Sequence, residues 1–169
     1  MTDSKLPIGN SGIQDVVHKE ASDSRLVNGF SELPLTKLLM RHEGFSSKPY
    51  YDSVGKVTIG YGRNLDDLGL SQEECVFLLR NDILRTFSEL CSFPWFTTLN
   101  EARQDALINM CFNLGFQRFS QFKKTIAAIE IGDFKAAAHE MLQSKWYEQV
   151  GHRAVELAEM LAGGKYSDS

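Results

Sequence analysis

The sequence predicts an α+β protein in which a small lobe, one helix plus a β-hairpin, is joined by a long helix to a mostly helical C-terminal lobe. Three observations carry this. Leu35, Leu38, Leu39 and His42 recur at helical spacing. After Pro49 the pattern switches to period two, with Val57, Ile59 and Tyr61 on one face of a strand and Thr58, Gly60 and Gly62 on the other. From Ser71 onward, apolar residues return to helical spacing and are interrupted by Gly and Pro at intervals that suit helix ends.

Residues 1–33 are polar, with Gly9-Asn10-Ser11-Gly12 and a weak apolar cluster at Ile13, Val16 and Val17. They read as a flexible extension with at most one short helix. Residues 34–169 form the folded domain. Pro34 fits a first helical turn, where its missing N–H costs nothing, and Ser31 is the expected cap. Gly44 ends that helix and leaves Glu43 in its last turn. Ser53-Val54-Gly55-Lys56 is the hairpin turn, with Gly55 free to take positive φ. The small lobe therefore spans residues 34–70.

Ser71-Gln72-Glu73-Glu74 is a capping box that opens the bridging helix, residues 71–92, through Leu78, Leu79, Ile83, Phe87 and Leu90. Pro94 stops it. In the helical lobe, residues 93–169, a helix over 101–114 ends at Gly115. A second over 120–131 ends at Gly132, and Asp133 caps a third over 134–142. A short helix lies around Trp146, and the last, 152–162, ends at Gly163-Gly164. Ala136-Ala137-Ala138 points to close helix packing, and Phe116, Phe119, Phe122 and Trp146 to core.

Composition narrows the function. The 169 residues suffice for one domain with a real core, and 43% hydrophobic and 24% charged residues are ordinary for a soluble protein. The net charge is −4, of which the first 33 residues hold half. There is no basic run with interleaved aromatics, so nucleic acid is not the expected partner. Cys75, Cys91 and Cys111 are odd in number and sit in helical patterns, as free thiols of a reducing compartment would. No N-terminal apolar core marks a signal peptide, and no run of about 18 apolar residues marks a membrane span. His18, His42, His139 and His152 are scattered, and His42-Glu43 has no second His at position 46, so neither a zinc helix nor another metal or cofactor site is expected.

What remains is Glu43, Asp52 and Thr58, spaced by nine and six residues. Glu43 sits where the negative end of the helix dipole disfavours a carboxylate, which suits a general acid. Asp52 meets the hairpin turn in a more open, polar place that favours the ionised base. Thr58 lies on the returning strand, on a face that Gly60 and Gly62 leave bare. Two carboxyls and a water-holding hydroxyl on different elements are the equipment for cutting a glycosidic bond. Each acid taken alone also has a bland reading, Glu43 as a solvated helix end and Asp52 as a turn former.

The residues around the two acids decide between these readings. Glu43-Gly44-Phe45, Tyr50-Tyr51-Asp52 and Thr58-Ile59-Gly60-Tyr61-Gly62 resemble the catalytic block of the phage T4-type lysozymes, a family of glycoside hydrolases. Two further blocks follow in order, Arg103 to Gly115 and Ser144 to Gln149 with Arg153-Ala154. The resemblance covers most of residues 34–165 and implies a lysozyme-like fold. It implies that Glu43 protonates the leaving oxygen, that Asp52 and Thr58 hold and activate water, and that Arg153 pairs with the glutamate and ties the lobes together. Asn64, Phe112, Asn113, Thr125 and Glu140 match substrate-contacting positions, with Glu140 charged where the family has a neutral amide.

Other departures are a shorter stretch between Gly62 and Ser71, Arg63-Asn64 in place of a His-containing turn, and the absence of a basic balance. The reaction implied is cofactor-free hydrolysis by a monomer of the β-1,4 bond between N-acetylmuramic acid and N-acetylglucosamine in bacterial peptidoglycan. The expected course is inverting, with the carboxyls roughly 6.5–9.5 Å apart. The alternatives are a lytic transglycosylase, which needs the glutamate but no base, and a wall-binding virion module without activity. By family analogy the protein gathers in the host cytoplasm and reaches the wall through a holin pore to lyse the cell.

Overall fold

A computed structural model describes residues 29–166; most of the N-terminal extension, with its weak apolar cluster, lies outside the described residues. The chain divides into two compact units, Met1–Leu78 and Leu79–Ser169. Each is described by itself.

The first unit holds helix α1 (Pro34–Glu43) and strands β1 (Ser46–Tyr51), β2 (Val57–Gly60) and β3 (Arg63–Asn64). Proline stands in the first turn of α1 as expected, but the cap position falls to Leu33 rather than Ser31, and no side chain caps it there. Gly44 closes the helix at φ 70°, its amide donating to the Met40 carbonyl. The strands form one antiparallel sheet in the order β1-β2-β3. In register, Tyr50 faces Thr58 and Tyr51 faces Val57, whereas Ser46 faces Gly60 after a local slip. Pro49 falls inside that slip, where its missing N–H interrupts no ladder bond.

The third strand corrects the expected plain hairpin: Thr58 pairs with Asn64 and Ile59 with Arg63 across a turn through Tyr61 and Gly62. Gly60 and Gly62 reach φ 69° and 82°, which lets the chain reverse within so few residues. Tyr61 therefore belongs to the turn and not to the strand face that period two assigned it.

Burial in the first unit departs from the sequence pattern in two places. No residue of α1 is buried, and its apolar face is open, with Leu35 65% exposed. In β2 the most buried residue is Thr58, at 3% exposure, and not its apolar neighbours Val57 and Ile59. It lies inside the central strand, paired with Tyr50 on one side and Asn64 on the other.

Helix α2 (Gln72–Leu90) crosses the division between the units. Both arms of the expected capping box form: the Glu74 amide donates to Ser71 Oγ at 3.2 Å, and the Ser71 amide to Glu74 Oε2 at 2.8 Å. Arg63 pairs with the other oxygen of Glu74, tying β3 to the first turn of the helix.

The second unit is helical. A 3-10 turn (Phe96–Thr98) precedes α3 (Glu101–Leu114), the short α4 (Phe116–Phe119), α5 (Lys123–Glu130), α6 (Phe134–Leu142), α7 (Lys145–Val150) and α8 (His152–Gly163). The expected helix over 120–131 thus begins later. Its first residues form a turn in which Ser120 Oγ donates back to the Phe116 carbonyl. Caps follow the sequence elsewhere. Asn100, Asp133 and Ser144 accept from the amides of Arg103, Ala136 and Tyr147, and Gly164 ends α8 in the left-handed region.

The core of this unit lies between α3, which buries Ala106, Leu107, Met110 and Cys111, and α8, which buries Ala154, Leu157 and Leu161. Ala137 and Ala138 are buried where α6 meets α8, the close packing read from the alanine run. Arg103 lies 3.7 Å above the Phe134 ring and donates to the Leu161 carbonyl at 2.9 Å, so one cation satisfies the last turn of α8.

Candidate active site

Glu43 is the last residue of α1 and is exposed. It stands over the β2–β3 turn: a methyl group built on Gly62 would lie 2.9 Å from Glu43 Oε2. Glycine at 62 thus serves both the backbone, at φ 82°, and the space the acid occupies. Glu43, Gly44, Phe45, Ser46 and Tyr50 line an open hollow of about 290 Å³. The Phe45 and Tyr61 rings pack 5.2 Å apart beside it. Neither aromatic was among the site residues expected from the sequence; exposed aromatics next to an acid are the signal that could have singled them out.

Asp52 closes the β1–β2 turn. One oxygen, Oδ1, accepts from the amides of Val54 at 2.9 Å and Lys56 at 2.8 Å. The Asp52 amide donates to the Lys56 carbonyl at 2.9 Å, and the Gly55 amide donates to the Asp52 carbonyl at 3.0 Å. The residue is therefore a turn former, as the bland reading had it, and its half-buried carboxylate is also oriented by the turn, with no hydrogen bond to Oδ2 among the described residues. Thr58 Oγ1 donates to the same Lys56 carbonyl at 3.3 Å, leaving its lone pairs to accept. The Lys56 backbone thus holds Asp52 through both its amide and its carbonyl, and Thr58 through the carbonyl.

The Lys56 ammonium lies 2.8 Å from Asp67 Oδ1. The Asp67 hydrogen bond, reinforced by the charges of Asp67, Asp66 and Asp52, pushes the ammonium above its usual range, and the same bond holds the Asp67 carboxyl below its own. Asn64 has both ends of its amide engaged with Asp67, accepting from its backbone at 2.9 Å and donating to its carboxylate at 2.9 Å. Asn64, expected as a sugar contact, is thus also a structural member of this turn.

In the second unit, Arg153 forks onto Asn109, with Nε at 2.9 Å and Nη2 at 2.5 Å from the side-chain oxygen. Phe112 is 41% exposed near the end of α3, and Asn113 beside it accepts from Trp146 Nε1 at 2.8 Å. Thr125 is 1% exposed, so the structure gives it a packing position rather than a surface one. Glu140 faces Lys124 at 3.6 Å, an ion pair between α5 and α6.

A larger apolar hollow of about 430 Å³ lies along α2 between Leu70, Phe77 and Leu78. Of the carboxylates that line it, Glu74 is already held by Arg63 and Ser71, and Glu73 is held below its ordinary range by its own backbone amide and the Ser71 hydroxyl. Among the described residues no cluster of His, Cys, Asp and Glu could hold a metal ion, and no helix is long and apolar enough to cross a membrane.

Comparison with known proteins agrees with the blocks read from the sequence. The chain is 29% identical over 113 residues to the Endolysin of Acyrthosiphon pisum secondary endosymbiont phage 1, covering 64% of this chain and 74% of that one. It is 26% identical over 157 residues to the Probable T4-type lysozyme 1 of Dictyostelium discoideum, covering 75% and 92%. It is 25% identical over 161 residues to the Pre-baseplate central spike protein Gp5 of Enterobacteria phage T4, covering 78% of this chain but only 28% of that protein's length. The family model described as Phage lysozyme matches residues 40–159, a span that takes in Glu43, Asp52, Thr58 and Arg153 and most of the chain, so the protein belongs to the phage lysozyme family.

Proposed function

We propose that this protein hydrolyses the β-1,4 glycosidic bond between N-acetylmuramic acid and N-acetylglucosamine in bacterial peptidoglycan, with inversion, without a cofactor. The observation that carries this reading is the Lys56 backbone. Its amide holds the Asp52 carboxylate and its carbonyl the Thr58 hydroxyl, while Glu43 stands over the other end of the same sheet at Gly62.

In the reaction, Glu43 gives its proton to the glycosidic oxygen as the bond to the anomeric carbon breaks. Water attacks that carbon from the opposite face and passes a proton to Asp52. Because Oδ1 already accepts two amides, Oδ2 is the oxygen that takes it. Thr58 steadies the same water through its lone pairs from a shielded position. Phe45 and Tyr50 give the sugar an apolar wall next to the acid. Phe112 and Asn113 are the sugar contacts proposed on the helical unit.

Glu43→Gln tests the assignment, because the amide keeps the shape and removes the proton. Clearing of outer-membrane-permeabilised bacteria should slow by roughly 10²–10⁴-fold. Near-full activity would overturn the acid role. Mass spectra of the released fragments test the course. Hydrolysis leaves a reducing muramic end, whereas elimination by a lytic transglycosylase leaves one lighter by a water.

For delivery we propose accumulation in the host cytoplasm and release to the wall at lysis, on the likeness to an endolysin. The likeness to a spike protein supports carriage in the virion as the second reading. Finding the chain in purified particles rather than in the lysate supernatant would select the latter.

A further inference from the structure

We propose that the turn at Asp66 and Asp67, outside the catalytic trio, is a positioning clamp that fixes the Asp52–Thr58 pair through Lys56 and Val57. The inference rests on the hydrolytic reading above and deepens it.

Three contacts join this turn to the start of β2. Asp66 Oδ2 accepts the Val57 amide at 2.9 Å. The Leu65 amide donates to the Val57 carbonyl at 2.7 Å. Asp67 Oδ1 holds the Lys56 ammonium at 2.8 Å. Asp67 is itself fixed by Asn64, whose strand position faces Thr58 across the sheet. The two residues so gripped, Lys56 and Val57, are consecutive. The first supplies the amide and carbonyl that orient Asp52 and the Thr58 hydroxyl; the second leads directly into Thr58.

A turn that carries a base needs such a grip. The Asp52 carboxylate is held by the Lys56 amide and its own amide by the Lys56 carbonyl, so its direction is only as well defined as the backbone at Lys56. The tip of the turn adds little packing there, since Val54 is 78% exposed and a methyl at Gly55 would meet nothing within 4 Å. The clamp acts from the other side, on the strand end.

Its contacts contribute little to stability. Asp66 and Asp67 are exposed, and water can replace a surface hydrogen bond or ion pair at small cost. Water cannot impose the same geometry. The effect of losing the clamp therefore falls on turnover, where misplacement by an ångström costs on the order of 100-fold.

The test uses the full chain on soluble, uncrosslinked glycan strands, with kcat, KM and thermal midpoint measured together. Asp66→Ala should lower kcat roughly tenfold with KM within about twofold. Asp66→Asn, whose side-chain oxygen still accepts the Val57 amide, should restore most of the loss. Lys56→Met and Asp67→Asn should each lower kcat by a few fold, and the double variant should be no worse than the weaker single one. Midpoints should stay close to that of the wild type.

Unchanged kcat in Asp66→Ala, or failure of Asp66→Asn to rescue it, overturns the clamp. If Asp66→Ala does not fold, the Lys56 and Asp67 variants decide, and additive losses in the double variant overturn it. Asp52→Asn run alongside separates the two levels. Full activity there removes the base itself and the hydrolytic reading with it. An inactive Asp52→Asn beside a fully active Asp66→Ala removes the clamp alone.

Discussion

Replacing Gly62 by alanine should damage the acid directly, and Gly60→Ala supplies the control. Both glycines have positive φ, 82° and 69°, so an alanine at either costs roughly 1–2 kcal/mol in backbone strain. They differ in what the new methyl meets. At Gly60 there is nothing within 4 Å, whereas at Gly62 Glu43 Oε2 lies at 2.9 Å and its Cδ at 3.5 Å. Restoring an ordinary contact of about 3.4 Å requires the carboxyl to retreat by about half an ångström. With roughly 100-fold lost per ångström of misplacement, that retreat costs on the order of tenfold in kcat.

The two variants should therefore show similar falls in thermal midpoint. Gly62→Ala should be about tenfold slower than Gly60→Ala on soluble glycan strands, with similar KM. Equal kcat in the two variants would show that Glu43 is not held against this turn, and the placement of the acid over Gly62 would fail.

The helical unit gives two further predictions. Burial, reinforced by the nearby Glu89 charge, pushes the Cys111 thiol up to about 12, and burial pushes Cys91 up as well. A thiol reagent at neutral pH should therefore label exposed Cys75 fastest, Cys91 more slowly and Cys111 only after denaturation, as read by mass spectrometry. Leu107, fully buried in α3, should cost about 2–5 kcal/mol when cut to alanine, whereas Ile131→Ala, at 81% exposure, should stay within about 0.5 kcal/mol by urea unfolding.

Helix ends were the most legible part of the chain. The capping box at Ser71, the Asp133 cap and the glycines at 115 and 164 all stand where the sequence put them. Each is a bargain struck within four residues, between a side chain or a positive φ and the amides and carbonyls next to it. The hairpin turn was legible for the same reason, since Gly55 and the Asx-type bonds of Asp52 are local. The third strand was not, because Arg63-Asn64 is too short to show alternation and forms only by pairing with β2.

Burial and side-chain partners were harder to read. Spacing showed that Leu35, Leu38 and Leu39 share a face of α1, but spacing cannot say what meets a face, and in the structure that face is open. Period two placed Val57 and Ile59 together as the apolar side of β2, yet Thr58 is the residue of that strand that is buried. Thr125 aligned with a sugar contact and is packed inside the helical unit.

The sequence by itself determined where most helices end and where the β1–β2 turn falls, and so set Glu43 at a helix end, Asp52 at that turn and Thr58 on the returning strand. Those outcomes depend on hydrogen bonds and dihedral preferences spanning a few residues. Only the tertiary structure decided that the turn at Asp66 and Asp67 would grip Lys56 and Val57, and that Glu43 would fill the space above Gly62. Those contacts join segments that meet only when the sheet closes, which no preference spanning a few residues can fix.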